Sequence, residues 1–477
     1  MGVTAHQGKR LSTVSMTLPR SGVAAVRGVL LASLLPVVIA CSAPSPGGGI
    51  PAAPAIGEDA WSLAGLEPLG DVDGDGREDC AAWILPSAVR LGLEEGLLLA
   101  LSGSDGRVIW RRDGESPAME WRGFLDGSAD FTSDGVRDLV AGCPRKEVRG
   151  MEGGTVRILS GRSGAVLLTV VPGDGAAEFG REGSALGDID GDGTPDLALR
   201  SPAPVDSPRE GLADVRLHSG RTGAFLSSIR EPGWSAVRSC RLGDSDGDGI
   251  PDLAVAWSRP GAAGRGWESL VTLVSSASGR AISRIPGTAA GGNLGRRMDP
   301  IPDIDGDGVS DLLILEPGGD PDSTGDTGPA VTTSGRFPRG RLAAHSGMSG
   351  ALLWERSGEV PTLEGWTDLA LAGDADGDGI PDPWVGSPGS GRFPLDPEPA
   401  GAAFLLSGRT GRVLRRVDGP PGILRFGERM APLEGEGGLL LLSGHVMEDS
   451  GRRTWRILAM DREAGVTFQV DPTVLAR

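Results

Sequence analysis

Six stretches of the chain set acidic side chains at alternate positions on short, glycine-containing segments. Five share one spacing, with acids at positions 1, 3, 5 and 9. They are Asp71, Asp73, Asp75 and Asp79; Asp188, Asp190, Asp192 and Asp196; Asp244, Asp246, Asp248 and Asp252; Asp303, Asp305, Asp307 and Asp311; and Asp374, Asp376, Asp378 and Asp382. A sixth carries Asp130, Asp134 and Asp138, with Thr132 at position 3. Carboxylates so spaced converge on one point when the segment curls. Glycine at position 6 (Gly76, Gly135, Gly193, Gly249, Gly308 and Gly379) permits the positive φ the curl needs. An all-oxygen donor set of this kind suits Ca²⁺, which takes six to eight oxygens at roughly 2.3–2.6 Å. Position 7 adds a backbone carbonyl, from Arg77, Thr194, Ile250, Val309 and Ile380. A helical calcium loop closes with Glu at position 12, but position 12 here is apolar (Ala82, Leu199, Val255, Ile314, Val385), so closure falls to the Asp at position 9. Four carboxylates this close repel one another without a cation between them. The spacing therefore predicts five strong Ca²⁺ sites and one weak one.

These loops recur in phase. Their starts lie 59, 58, 56, 59 and 71 residues apart. A second signal keeps the same step: Ser160-Gly161-Arg162-Ser163-Gly164 has counterparts at 102–106, 219–223, 275–279, 346–350 and 407–411, and a degenerate one at 461–465. Each lies between two apolar runs, which reads as a β-hairpin. One unit thus offers four short strands: one before the Asp loop, one after it, and the two hairpin arms. A single four-stranded sheet cannot bury both faces, so neighbouring units must stack. Near Leu433 a seventh unit keeps the phase and lacks the ligands. The predicted fold is all-β, a seven-bladed β-propeller of four-stranded blades over 58–477, with calcium-binding loops.

Gly187-Asp188-Ile189-Asp190-Gly191-Asp192-Gly193-Thr194-Pro195-Asp196, preceded by Phe179-Gly180 and followed by Ser201-Pro202, resembles the FG-GAP repeat of the integrin α-subunit propeller and its bacterial relatives. The resemblance covers about 58–477 of the chain. It implies a propeller with its calcium loops on one face and adhesion or ligand binding on the other, and it implies the same Asp positions as ligands. Two departures stand out. The Phe-Gly element is clear only at Phe179-Gly180 and Phe426-Gly427, with Leu294-Gly295 a variant, and Thr132 weakens the second loop.

The N-terminus predicts export. Arg20 and Arg27 precede an apolar run at 29–39 that ends in Ala40-Cys41. This reads as a secretory signal over 1–41. Cys41 stands where the bacterial lipobox carries its diacylated cysteine. The run is too short to span about 30 Å of hydrocarbon, so membrane contact is predicted through the Cys41 lipid alone, at the bacterial envelope or cell surface. Residues 42–57, rich in Pro and Gly, read as a tether.

The formal charge is −18, and the first 40 residues hold four basic side chains and no acidic one, which leaves −22 on the rest. That balance argues against nucleic acid, whose backbone is met by clustered Lys and Arg. Cys80, Cys143 and Cys240 fall at non-equivalent repeat positions and read as buried thiols. On the face opposite the loops, two related segments carry Arg336, Phe337 and Arg339, then Arg392 and Phe393, a cationic and aromatic patch predicted to meet a protein or glycan ligand. His218 and His345 share one repeat position and read as packing residues, and no nucleophile motif accompanies the carboxylates. The expected function is a non-catalytic binding or adhesion module. The alternative is a propeller hydrolase or lyase acting on extracellular glycans or phosphoesters.

Overall fold

The runs that follow the Asp loops are apolar at consecutive positions, as in Leu253-Ala254-Val255-Ala256-Trp257. A strand of this kind must be covered on both faces. The computed structural model covers them by stacking sheets. It describes residues 61–470 apart from 77–78, 87–96, 103–107, 114–122, 145–146, 149–150, 153, 173–177, 204–211, 262–266, 288–293, 318–339, 359–365, 372, 389–399, 428–429, 434–438, 448–452 and 461–465.

Seven four-stranded antiparallel sheets follow one another along the chain, at 61–113, 125–170, 183–229, 235–286, 297–357, 368–418 and 430–470. We number them blades 1 to 7. Blade 3 shows the pattern: strands Gly183–Ala185, Leu197–Pro202, Ala213–His218 and Phe225–Ile229 lie in sequence order, each paired with the next. Blade 2 adds a small hairpin, Glu147–Val148 with Met151–Glu152, between its second and third strands. The first strand of each blade lies beside the first strand of the next. The seven inner strands therefore surround a common axis, and the fourth strands, half exposed in blades 3 and 5, form the rim. This is the seven-bladed propeller.

The apolar core sits between blades rather than within them. Six buried clusters each draw on two consecutive blades. Period-two alternation sorts the side chains: Leu197 and Leu199 face blade 2 while Ala198 faces blade 4. In the same way Leu253, Val255 and Trp257 face blade 3, and Ala254 and Ala256 face blade 5.

The Phe-Gly element has a mechanical role in this stacking. Phe179 and Phe426 are completely buried. The glycines after them take positive φ (81° and 85°), which lays their carbonyl oxygens against Gly142 and Gly386 on the second strand of the preceding blade. A Cβ on Gly142 or Gly386 would overlap that oxygen. At Leu294-Gly295 the second-strand residue is Ala256, and it is Gly295 that must stay without a side chain, since a Cβ there would fall 2.6 Å from the Ala256 Cβ, while Leu294 is buried in the same core.

Antiparallel order puts the Asp loops and hairpin turns on one face and the connections after the second strands on the other. Arg336, Phe337, Arg339, Arg392 and Phe393 lie outside the described residues, as do Cys41, the tether and Arg77. Cys143 and Cys240 are free and buried, and burial pushes the Cys240 thiol up. Among the described residues, no helix is long and apolar enough to cross a membrane.

Candidate metal centres

Each loop is curled by its own first aspartate. In blade 3, Asp188 Oδ1 accepts the backbone N–H groups of Gly191 (2.7 Å) and Asp192 (3.1 Å), and Oδ2 accepts that of Gly193 (2.7 Å). The same bonds form on Asp71, Asp244, Asp303 and Asp374. Three donors held by one carboxylate close the curl that brings the alternate acids together. The bend uses positive φ at position 6, 83–90° across the six loops, and also at position 4, where Gly74, Gly191, Gly247, Gly306 and Gly377 lie at 79–85°.

The aspartate at position 9 fixes the loop to the blade. It is buried in all six loops (Asp79, Asp138, Asp196, Asp252, Asp311 and Asp382). Asp196 Oδ2 takes the N–H groups of Ile189 (2.7 Å) and Asp190 (3.3 Å), while Oδ1 takes that of Gly220 in the hairpin turn (2.9 Å). The hairpin bond recurs as Gly161 to Asp138 (2.9 Å), Ser276 to Asp252 (3.1 Å), Gly347 to Asp311 (3.1 Å) and Gly408 to Asp382 (2.8 Å). One side chain thus joins the two turns that share a face.

Five groups of carboxylates result, each able to place three oxygens within 4.8 Å of one another: Asp71, Asp73 and Asp79; Asp188, Asp190 and Asp196; Asp244, Asp246 and Asp248; Asp303, Asp305 and Asp311; Asp374, Asp376 and Asp382. That span matches the diameter of a Ca²⁺ coordination sphere, about 4.6–5.2 Å. Several of these clusters can hold a metal ion. The second loop assembles no such group among the described residues. Thr132 donates its hydroxyl to Asp130 (3.2 Å), and position 4 is Ser133 at φ 57°, where the other loops have glycine.

Electrostatics separates the positions. Burial raises the carboxyls of Asp138, Asp196, Asp311 and Asp382 against their backbone hydrogen bonds. It pushes Asp252 up to about 6, helped by Asp246 and Asp248 beside it. At position 1, Asp303 is held below the usual range, chiefly by the Gly308 N–H. A divalent cation at the centre would oppose the upward push at position 9.

His218 and His345 hold the hairpins. Their Nδ1 atoms lie 3.1 and 3.0 Å from the Gly223 and Gly350 carbonyls, which assigns the Nδ1–H tautomer. His218 also sits edge-on between Phe179 and Phe225. Burial lowers both imidazoles, so both are neutral packing groups.

No family model matches the chain. Over 203 residues, 38% of this chain, it is 29% identical to integrin alpha-5 of Xenopus laevis. Over 207 residues, 39% of this chain, it is 32% identical to integrin alpha-V of Gallus gallus. The chain is similar to integrin α chains. It spans 19% of the length of each of these relatives. Solved structures of similar fold include the rhamnogalacturonan lyase YesW (TM-score 0.42, 15% identity, 87% of this chain and 67% of that one). The Dos1 propeller gives a TM-score of 0.40 at 9% identity, over 73% of this chain and 72% of that one. BamB from Moraxella catarrhalis gives 0.32 at 13%, over 76% and 81%.

Three features of the blades went unread in the spacing of the repeats. They are the hairpin bond of position 9, the positive φ of Ser133, and a pair of tryptophans on outer strands. Trp110 Nε1 donates to the Gly161 carbonyl of the next blade (2.7 Å), and Trp354 Nε1 to that of Gly408 (2.9 Å). The recurrence of tryptophan at one repeat position was the available clue to the last.

Proposed function

We propose that this protein is a calcium-stabilised, exported propeller that acts as a binding or adhesion module and not as an enzyme. The observation that carries this reading is the convergence of carboxylate oxygens in five loops held in one phase and on one face. Asp at positions 1, 3, 5 and 9 would hold the ion, with the carbonyls of Arg77, Thr194, Ile250, Val309 and Ile380 as further donors. The bound ion supplies positive charge that relieves carboxylate repulsion. The protein's part is to pre-curl the loop through position 1 and to tie it to the hairpin through position 9.

The likeness to integrin α chains supports a partner-binding role, as does the signal-like N-terminus that ends in Cys41. Burial and hydrogen bonding of His218 and His345 support the non-catalytic reading, since neither is poised as a general base. The partner face is assigned to the connections opposite the loops, with Arg336, Phe337, Arg339, Arg392 and Phe393 as its contacts.

Thermal unfolding with excess calcium and with a chelator tests the metal. A site filled at about 100 times its Kd adds about 2.7 kcal/mol, so chelation should lower Tm by many degrees. A Tm indifferent to strong chelation would refute structural calcium. A glycan array and an envelope-protein pull-down test the partner. Replacing Arg336, Arg339 and Arg392 together by Ala should weaken whatever ligand emerges, and full retention of binding would move the site elsewhere.

A further inference from the structure

The middle residue of the hairpin turn differs from blade to blade, and the difference reaches the Asp loops. It is Arg162, Arg221 and Arg409 in blades 2, 3 and 6, but Ala277 in blade 4 and Met348 in blade 5. Each arginine lies across the loop of its own blade and grips the acid at position 5. Arg221 Nε is 3.1 Å from Asp192 Oδ2, and a terminal nitrogen of the same guanidinium donates to the Asp192 backbone carbonyl. Arg162 holds Asp134 in the same way, at 3.1 Å to the carboxylate and 3.1 Å to the carbonyl. Arg409 holds Asp378 at 3.4 and 3.1 Å.

The grouping of the carboxylates sets blade 4 apart from the others, and blade 1, with Ser104 at the turn, also groups positions 1, 3 and 9. In blades 3 and 6 the converging acids are those at positions 1, 3 and 9, without Asp192 or Asp378. In blade 4, which has no arginine arm, Asp248 at position 5 joins Asp244 and Asp246. Blade 5 lies between these cases, because Asp307 is drawn aside by a neutral donor, the Ser346 hydroxyl at 3.1 Å. The matching Ser275 hydroxyl oxygen of blade 4 accepts the Ser278 N–H (3.2 Å), as that of Ser346 accepts the Ser349 N–H (3.1 Å), and in blade 3 the Ser219 hydroxyl donates to Asp192 at 3.5 Å.

On the calcium reading, on which this step rests, we infer that the hairpin arginine is an internal counter-ion that competes with the divalent cation. The turn residue then ranks the loops. Blade 4, with Ala277, binds most tightly. Blades 3 and 6 bind less tightly and keep their loops ordered when calcium is scarce. Blade 2 has given up an acid at Thr132, and Arg162 substitutes for the ion. The physical reason is Coulomb's law. A unit positive charge about 6 Å from a divalent ion in a water-like medium lowers its affinity about tenfold. The guanidinium side chains of Arg162, Arg221 and Arg409 are 50, 55 and 43% exposed, so solvent and salt hold the effect at or below that figure.

The test is hydrogen exchange of the loop peptides 188–196, 244–252 and 374–382 while calcium is titrated into the full chain, which yields one midpoint per loop. Arg221→Ala should lower the midpoint of 188–196 by about threefold to tenfold and leave 244–252 unchanged. Arg221→Gln, which keeps donors but not charge, should do the same. Both variants should speed exchange of 188–196 in chelator. Arg409→Ala repeats the test at 374–382, independently of the folding of the blade 3 variants. Ala277→Arg should raise the midpoint of 244–252. Midpoints that stay within about twofold in Arg221→Ala, Arg409→Ala and Ala277→Arg would overturn the counter-ion role and leave calcium binding intact. Wild-type loops that gain no protection from calcium would overturn the calcium reading, and this inference with it.

Discussion

At the scale of single residues, the aspartate at position 9 combines two tasks that the spacing rule assigns to one. It offers an oxygen to the metal group, and it accepts backbone N–H groups from both its own loop and the hairpin. Asp382→Asn keeps the size and can present only one acceptor oxygen, so either the Gly408 bond or the Ala375 and Asp376 bonds must be lost. A destabilisation of about 2–3 kcal/mol is expected. Urea unfolding in chelator is the check, because the loss should persist there, whereas a residue that only ligates calcium would lose its effect. Glu67, on the inner strand Trp61–Gly70, carries a different signature. Burial and the nearby Asp126 push its carboxyl from 4.5 up to about 8, against the Gly127 N–H and Arg137. Its folded-state pKa is raised, so between those values the folded protein keeps a proton that the unfolded chain has released. Stability contributed by this group is therefore lost as pH rises from about 4.5 through about 8. Glu67→Gln should be more stable than the wild type by about 1–2 kcal/mol near pH 8.5 and equal to it near pH 4. A difference that does not vary with pH would show that the carboxyl is not raised.

At the scale of elements, the propeller is held by seats that pass from one blade to the next. The Phe-Gly turn at the start of a blade rests on a second-strand glycine of the preceding blade, and Trp110 and Trp354 donate across the rim to the following hairpin. Gly386 meets the Gly427 carbonyl, which is backbone and cannot swing aside. Gly386→Ala should destabilise by about 2–4 kcal/mol and act at the junction of blades 6 and 7. Calorimetry with hydrogen exchange of 383–387 and 402–406 would locate the loss, and a variant as stable as wild type would remove the seat from the account.

At the scale of the whole molecule, cores that lie between blades make each blade depend on its neighbours. The face of blade 6 that carries Ala370, Trp384, Ala403 and Leu405 packs against Ile423 and Phe426 of the connection to blade 7 and against Met430 of its first strand, whose N–H reaches Asp368 at 3.0 Å. Deleting 428–477 removes a unit that holds no metal group among the described residues, and with it Met430 and the strand beside the first strand of blade 6. The truncated chain should associate or lose its cooperative transition even with calcium present. Size-exclusion chromatography with light scattering decides this, since a monodisperse monomer of unchanged Tm would show that the last blade is dispensable.

What the sequence determined by itself is what lies within one curled segment or one hairpin. Nine residues suffice to specify Asp at 1, 3, 5 and 9 with Gly at 6, because convergence of oxygens on an ion is a local requirement. The two signals in one phase were enough for four strands per unit and seven units. Only the tertiary structure decided which atoms meet between those local pieces. Gly220 bonds Asp196 across 24 positions, Trp110 bonds Gly161 across 51, and Arg221 reaches Asp192 across 29. The charge of Arg221 is visible in the sequence, but its direction is set by the pairing of four strands, which folds the hairpin turn onto the loop. The acidic loops and the gap at Thr132 could be read from spacing, and the grip of the hairpin arginines on position 5 could not, because it depends on what the neighbouring turn places there.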